Sequence, residues 1–302
     1  MRYLTSARYI VAVAKAGSIR KAAEALSITS TALNRRILDL EEELGAPIFE
    51  RLPRGVRLSS AGEILIHYIR NQLSDMDRVR SQIADLSGVR RGHVSIACSQ
   101  ALVPYFLPSQ IALYRQAHPN VSFGVHVRDR EAAERALADH TADLAIVFEP
   151  VRMAEFHTII SVRQPVHAVM ARNHPLADRP SLRLGDCLNY PIALPTLPYG
   201  VRNLLELAAL RTSRALTPMI ESDSFDFLRH YAAQEHLVSF QIPIGLSLSE
   251  TGGMVVSTPL DKRDVPAGIL YMGQLKGRTL PVAAARFAAQ LSAAFADEYE
   301  LA

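Results

Sequence analysis

The sequence predicts an α/β protein in three parts: a small helical head with a two-stranded wing, a long connecting helix, and a larger body of alternating strands and helices. Three observations carry this. Apolar residues recur at helical spacing between Leu4 and Leu44. A Pro/Gly turn then separates two short strand-like runs. Beyond residue 92, strand and helix patterns alternate almost to the C-terminus.

Taken in order, Leu4, Ala7, Ile10, Val11 and Ala14 form the stripe of a first helix that Gly17 stops. Ser18 caps a second helix, in which Ile19, Ala22, Ala23 and Leu26 face inward while Arg20, Lys21 and Glu24 face water. Thr29 caps a third helix through Leu44, with Leu33, Ile37, Leu40 and Leu44 inward. Gly45 and Pro47 end it. Ile48–Arg51 and Val56–Leu58 flank the turn Pro53-Arg54-Gly55 as a hairpin. Three helices followed by a hairpin is the order of a winged helix-turn-helix.

From Ser59 a long helix follows, with Glu63 in its first turn. Ile69, Met76 and Ile83 form one apolar row, and Leu65, Val79 and Leu86 a second, interrupted by Gln72. Such a pattern seats a dimer or packs on its own domain. Gly88–Gly92 reads as a hinge.

In the body, strands are expected at Val94–Cys98, Val121–Val127, Leu144–Phe148, Val166–Met170, Ile192–Ala193, Val238–Phe240 and Ile269–Gln274. Helices are expected at Val103–His118, Arg130–Asp139, after Gly200, at Phe225–Gln234 and from Pro281 to about Phe295. Repeated β–α units imply parallel sheets. A crossover near Ser161 divides the body into two lobes with a cleft suited to a small ligand.

Charge is divided unevenly. Residues 1–91 hold 15 Lys/Arg against 10 Asp/Glu, whereas the remainder holds 18 against 20. A basic head on a near-neutral body points to a polyanion partner at the N-terminal end. Cys98 and Cys187 show no metal-ligand or disulfide spacing, and reduced, buried thiols are expected, with a redox role for Cys98 left open. The N-terminal segment lacks an export signal and no run suffices for a membrane span, so a cytoplasmic location is expected.

The first 60 residues resemble the LysR-type transcriptional regulator family. The resemblance rests on Ala14–Ile19 (AKAGSI), Lys21–Leu26 (KAAEAL), Ala32–Ile37 (ALNRRI), Leu40–Gly45 (LEEELG), Ile48–Arg51 (IFER) and Arg57–Gly62 (RLSSAG). Arg91–Ile96 (RGHVSI), His174–Ala177 (HPLA) and Ile242-Pro243 extend it into the body. It implies a DNA-binding domain at 1–60 and a dimerising helix and hinge at 61–91. A periplasmic-binding-protein-like (type II) effector domain follows at 92–302, with lobe I at about 92–161 and 269–302 and lobe II at about 162–268. It also implies homodimers or homotetramers, double-stranded DNA and a small-molecule effector as partners, and no cofactor. Two departures stand out. Ser30-Thr31 replaces the family's usual Gln-Pro, and Gln234-Glu235-His236 replaces its Gly-rich turn.

On this scaffold Ser30, Thr31, Asn34 and Arg35 fall on the exposed face near the N-terminal end of the third helix, the end that enters a major groove. Arg35 suits guanine or a phosphate and Asn34 suits adenine. Ser18 offers a phosphate its hydroxyl and a backbone N–H. Arg51, Arg54 and Arg57 around the hairpin are placed for backbone or minor-groove contact, or stand as solvated surface charges.

In the body, Ser99 and Gln100 follow a strand end, the place where such cleft domains hold ligands. A hydroxyl, an amide and helix N–H groups there suit a carboxylate or other anion. Phe148 and Glu149 lie near the crossover. Thr196 is a candidate ligand contact or a turn residue, and Ser224 a candidate contact or a plain N-cap. The histidines show no His-x-x-x-His helical pair, so no metal site is assigned. His167 and His230 read as polar groups rather than ligands. A two-lobed solute-binding protein is the runner-up reading. An enzyme is disfavoured because no Gly-x-Ser-x-Gly, His-Glu-x-x-His or phosphate-cradling loop occurs, and no catalytic residue is assigned.

Overall fold

A computed structural model describes residues 2–86, 92–149, 154–212, 214–246 and 254–302. The chain divides into two compact units, Met1–Ile83 and Ala84–Ala302.

In the first unit, α1 (Arg2–Ala16), α2 (Ile19–Ala25) and α3 (Ser30–Leu44) precede a hairpin of β1 (Phe49–Leu52) and β2 (Gly55–Leu58). The caps are those the sequence predicts. Ser18 Oγ accepts from the Lys21 amide, Thr29 Oγ1 accepts from the Ala32 amide, and Gly45 ends α3 at a φ of +67°. Ala7, Ile10, Val13, Ala22, Ala23, Leu33, Ile37, Ile48 and Phe49 form the core. Leu44, expected inward, is 48% exposed. Leu33 and Ile37 complete the helical core and Leu40 sits at its edge, so the last turn of α3 projects beyond it.

The long helix α4 (Ser60–Leu86) is as long as predicted, but its apolar positions serve two surfaces. Ile66 and Ile69 are buried in the core of the head, with Leu65 and Leu73 packed against it. Of the two readings, packing on its own domain therefore holds for Ile69 and Leu65, because the first turns of α4 must cover Ile48 and its neighbours. Among the described side chains of this helix, Ile64, Tyr68, Val79 and Ile83 are the large apolar ones that are exposed. The side chain of Leu86 and hinge residues 88–91 lie outside the described residues, and Gly92 is the first residue of a strand.

The second unit holds two five-stranded sheets. The first, in the order β4-β3-β5-β12-β6, comprises β3 (Gly92–Cys98), β4 (Val121–Val127), β5 (Leu144–Phe148), β6 (Phe156–Gln164) and β12 (Gly268–Leu275). The second, in the order β11-β7-β10-β8-β9, comprises β7 (His167–Ala171), β8 (Ile192–Pro195), β9 (Ile220–Ser222), β10 (Val238–Gln241) and β11 (Val255–Pro259). Among the described residues, 3₁₀ turns at Gln100–Leu102 and Pro243–Gly245 and the helices α5 (Phe106–Ala117), α6 (Arg130–Ala138), α7 (Leu184–Cys187), α8 (Gly200–Arg211), α9 (Phe225–Gln234) and α10 (Val282–Glu298) accompany the sheets.

The sheets are mixed rather than parallel. β3 pairs in parallel with β4 and β5, but β12 runs antiparallel to β5 and β6, and β7 antiparallel to β10 and β11. β12 enters its sheet on a return run from the other sheet, without the helical crossover that makes neighbours parallel. Ser161 lies inside β6, opposite Tyr271, and the chain passes to the second sheet after Gln164. The strands not foreseen, β6, β9 and β11, are all edge strands. Half-exposed and polar-interrupted, an edge strand lacks the continuous apolar run that marks a central one.

Candidate nucleic-acid interface and interlobe cleft

α3 is held by its buried stripe, so its other face is free. Ser30, Thr31 and Arg35 are exposed, and Asn34 is half-buried. Asn34 Oδ1 accepts from Arg51 Nη2 at 3.3 Å, which links the helix to the first hairpin strand. Arg57 Nε donates to Glu50 Oε2 at 2.7 Å across the hairpin, so this exposed cation comes already paired. Arg54 occupies the tip of the hairpin and is exposed. Ser18 Oγ, 3.4 Å from the Lys21 amide, serves as a cap, which leaves its hydroxyl proton for an outside acceptor.

One positioning residue escaped the sequence reading. Glu41 Oε1 accepts from the Ile48 amide at 2.7 Å and the Phe49 amide at 3.1 Å. A carboxylate of α3 thus seats the start of the hairpin and fixes the angle between helix and wing. As one of three consecutive glutamates it carries no local mark of this role.

In the second unit, Ser99, Arg128, Asp129, Arg130, Val147, Phe148, Tyr199, Gly200, Val201, Phe225 and Ile242 line a cavity between the two sheets. Its free volume is about 20 Å³, room for a single water. Of the predicted residues, Ser99 and Phe148 reach it. The Phe148 ring is seated against two glycines: a Cβ at Gly200 would stand 2.8 Å from its Cδ1, and one at Gly268 2.2 Å from its Cζ.

Gln100 spans the gap between the lobes. Its Nε2 donates to the Asp223 carbonyl at 2.5 Å, and its Oε1 accepts from the Phe225 amide at 2.8 Å, at the start of α9. One turn along α9, the buried Arg229 donates from Nη1 to the Tyr105 hydroxyl at 2.8 Å. The 100–105 segment is therefore fastened to α9 at two points. Ser224 Oγ accepts from the Phe227 amide, so the N-cap role holds for it. Glu149 Oε1 accepts from the Ile269 amide at 2.7 Å, and its carbonyl accepts from Arg130 Nη1. It braces strand ends instead of lining the cavity. Thr196 donates its amide to the Ser222 carbonyl and accepts from the Tyr199 amide, as a turn residue does.

Arg128, Asp129, Arg130, Tyr199, Phe225 and Ile242 were missed. The first three follow β4 as Ser99 follows β3, so the same strand-end rule applied to both loops would have found them. Burial, with the Asp223 and Asp129 carboxylates nearby, raises the Tyr199 phenol above its ordinary value and keeps it a neutral donor. Burial pushes the Cys98 and Cys187 thiols up to about 12. Both are free and buried, and neither has the thiolate character that redox chemistry at Cys98 needs.

Comparison with known proteins agrees with both parts. Residues 4–63 match the family described as bacterial regulatory helix-turn-helix protein, lysR family, and residues 87–296 match the LysR substrate binding domain. The HTH-type transcriptional activator CmpR of Synechocystis is 27% identical over 195 residues, 65% of this chain and 64% of its own length. Among solved structures, a full-length OxyR variant from Pseudomonas aeruginosa has a TM-score of 0.74 at 21% identity, covering 95% of this chain and 94% of that one. Full-length CbnR, solved with its target DNA, has a TM-score of 0.62 at 15% identity, covering 95% and 98%. From its helix-turn-helix head to its two-sheet body, the chain belongs to the LysR family.

Proposed function

We propose that this protein is a sequence-specific, DNA-binding transcriptional regulator controlled by a small-molecule effector bound between the two lobes of its body. The observation that carries the reading is α3. Its inward stripe is satisfied, its N-terminal half presents Ser30, Thr31 and Arg35 to solvent, and Asn34 and Arg51 tie it to a basic hairpin. That is the arrangement a major-groove reader needs, and the CbnR complex with its target DNA supports it for a chain of this fold.

In this reading residues 1–60 contact DNA through Ser18, Ser30, Thr31, Asn34, Arg35, Arg51, Arg54 and Arg57. Residues 61–91 pair two chains, and residues 92–302 hold the effector. Ser99, Arg128, Arg130 and Tyr199 offer hydroxyl and guanidinium donors for a carboxylate or other anion. A cavity with room for one water cannot admit a metabolite until the fastening of Gln100 and Tyr105 to α9 opens. Effector binding thus selects between two arrangements of the lobes, and that difference in affinity drives the response. The protein acts in the cytoplasm and performs no catalysis of its own. Among the described residues no helix is long and apolar enough to cross a membrane. The basic winged head opposes the solute-carrier alternative.

Selection of genomic fragments by the purified full-length chain tests this. Enrichment of a small set of sites sharing a two-fold motif is expected. Recovery of fragments without a common motif, at low and moderate salt alike, contradicts it.

A further inference from the structure

Gly124 in β4 is not explained by the strand it occupies. Glycine weakens a strand interior and there marks a place where another group approaches the backbone. A Cβ at Gly124 would stand 3.1 Å from His93 Nε2 and 3.2 Å from His126 Nε2. His93 pairs with Ser122 and His126 with Ala97 across the parallel strands β3 and β4, while Gly124 lies between the two histidines in register. These positions share one face of the sheet because side chains alternate along each strand. The two exposed rings lean toward each other, and their Nε2 atoms border the same small volume above the glycine.

The His93 ring is also oriented. Its Nδ1 lies 2.9 Å from Ser122 Oγ, which itself donates to the Gly92 carbonyl at 3.3 Å. With the hydroxyl proton directed at that carbonyl, the serine oxygen accepts from Nδ1–H, and the lone pair of His93 sits on Nε2. A metal-binding imidazole is held in just this way, by a hydrogen bond from its other ring nitrogen.

We infer that His93 and His126 bind a divalent transition-metal ion that prefers imidazole nitrogen, Cu(II) or Zn(II), in the space Gly124 leaves open. Zinc–imidazole bonds are about 2.0–2.1 Å long, and both rings are exposed, so they can turn toward a shared ion. Hard ions such as Mg(II) and Ca(II) want oxygen ligands and are disfavoured. Among the described residues no group of three or more His, Cys, Asp or Glu gathers around a common point. Water therefore completes the coordination sphere, and the site is open and exchangeable, not a closed structural one. The helical His-x-x-x-His pattern sought in the sequence cannot reveal it, because the two ligands lie on neighbouring strands. Nothing in the site depends on the DNA-binding reading.

The test is calorimetric titration of the untagged full-length protein with ZnCl₂ and CuCl₂ alone, with electron paramagnetic resonance of the copper form. The His93→Ala/His126→Ala double variant sets the baseline contributed by the other histidines. One extra equivalent per chain above that baseline is expected, with nitrogen hyperfine structure from two imidazoles. Gly124→Ala, whose methyl fills the cradle while favouring the strand, should weaken binding at least tenfold. Ser122→Ala should weaken it by about tenfold without altering the melting temperature of the metal-free protein. Wild-type binding no tighter than the double variant overturns the assignment, as does binding that Gly124→Ala leaves unchanged.

Discussion

Arg35 lies in the second turn of α3 and Gln100 opens a 3₁₀ turn, and only for Arg35 could the surroundings be read from sequence. Arg35 is exposed because Leu33 and Ile37 on either side of it are buried, a relation contained in five consecutive positions. Gln100 stood out as a candidate ligand contact, but its partners Asp223 and Phe225 lie 123 and 125 residues away. No local pattern announces such a pairing, and none announces that Tyr199 meets the strand-end residue Arg128 at the cavity. Gln100→Ala removes two hydrogen bonds between the lobes, each worth about 0.5–1.5 kcal/mol net. Amide exchange at Phe225 and the first turn of α9 should then quicken by about tenfold or more, with operator binding intact. Exchange at the wild-type rate contradicts the fastening role.

At the scale of elements, periodicity placed the longer helices and the central strands, because burial on one face or both imposes a period that sequence must follow, whereas the four-residue α7 is too short to show one. For α4 it left a dimer seam and packing on the head both open, because the apolar residues of that helix answer to two surfaces at once. The exposed Val79 and Ile83 lie beyond the part of α4 that the head covers. Val79→Asp with Ile83→Asp should therefore shift the protein toward monomer in light scattering while leaving the melting of the head unchanged. Persistence of the wild-type oligomer rules out this face. Glu41 acts within the head. Its removal leaves the Ile48 and Phe49 amides without their acceptor, so Glu41→Ala should lower stability by about 2 kcal/mol in urea unfolding. A change under 0.5 kcal/mol contradicts its seating role.

For the whole molecule, two histidines make the second unit sensitive to acid. Burial pushes the His167 imidazole down to about 4. Burial, with His236 nearby, lowers His174 as well. A group whose folded value lies below its unfolded one binds more protons when unfolded, so stability is complete above the ordinary histidine range near 6.5 and declines toward pH 4. The melting temperature of the wild type should fall across that window, and His167→Gln should flatten the fall. Equal slopes for the two proteins would contradict it.

Sequence-specific binding by this protein depends above all on the outward face of α3. The direct measurement is the ratio of affinities for a selected site and for scrambled DNA, compared between wild type and Arg35→Ala at fixed salt. A lost base contact of about 1–3 kcal/mol predicts a drop in that ratio of about five- to 150-fold, with oligomer size and melting temperature unaltered. An unchanged ratio and an unchanged footprint would show that α3 does not read the groove.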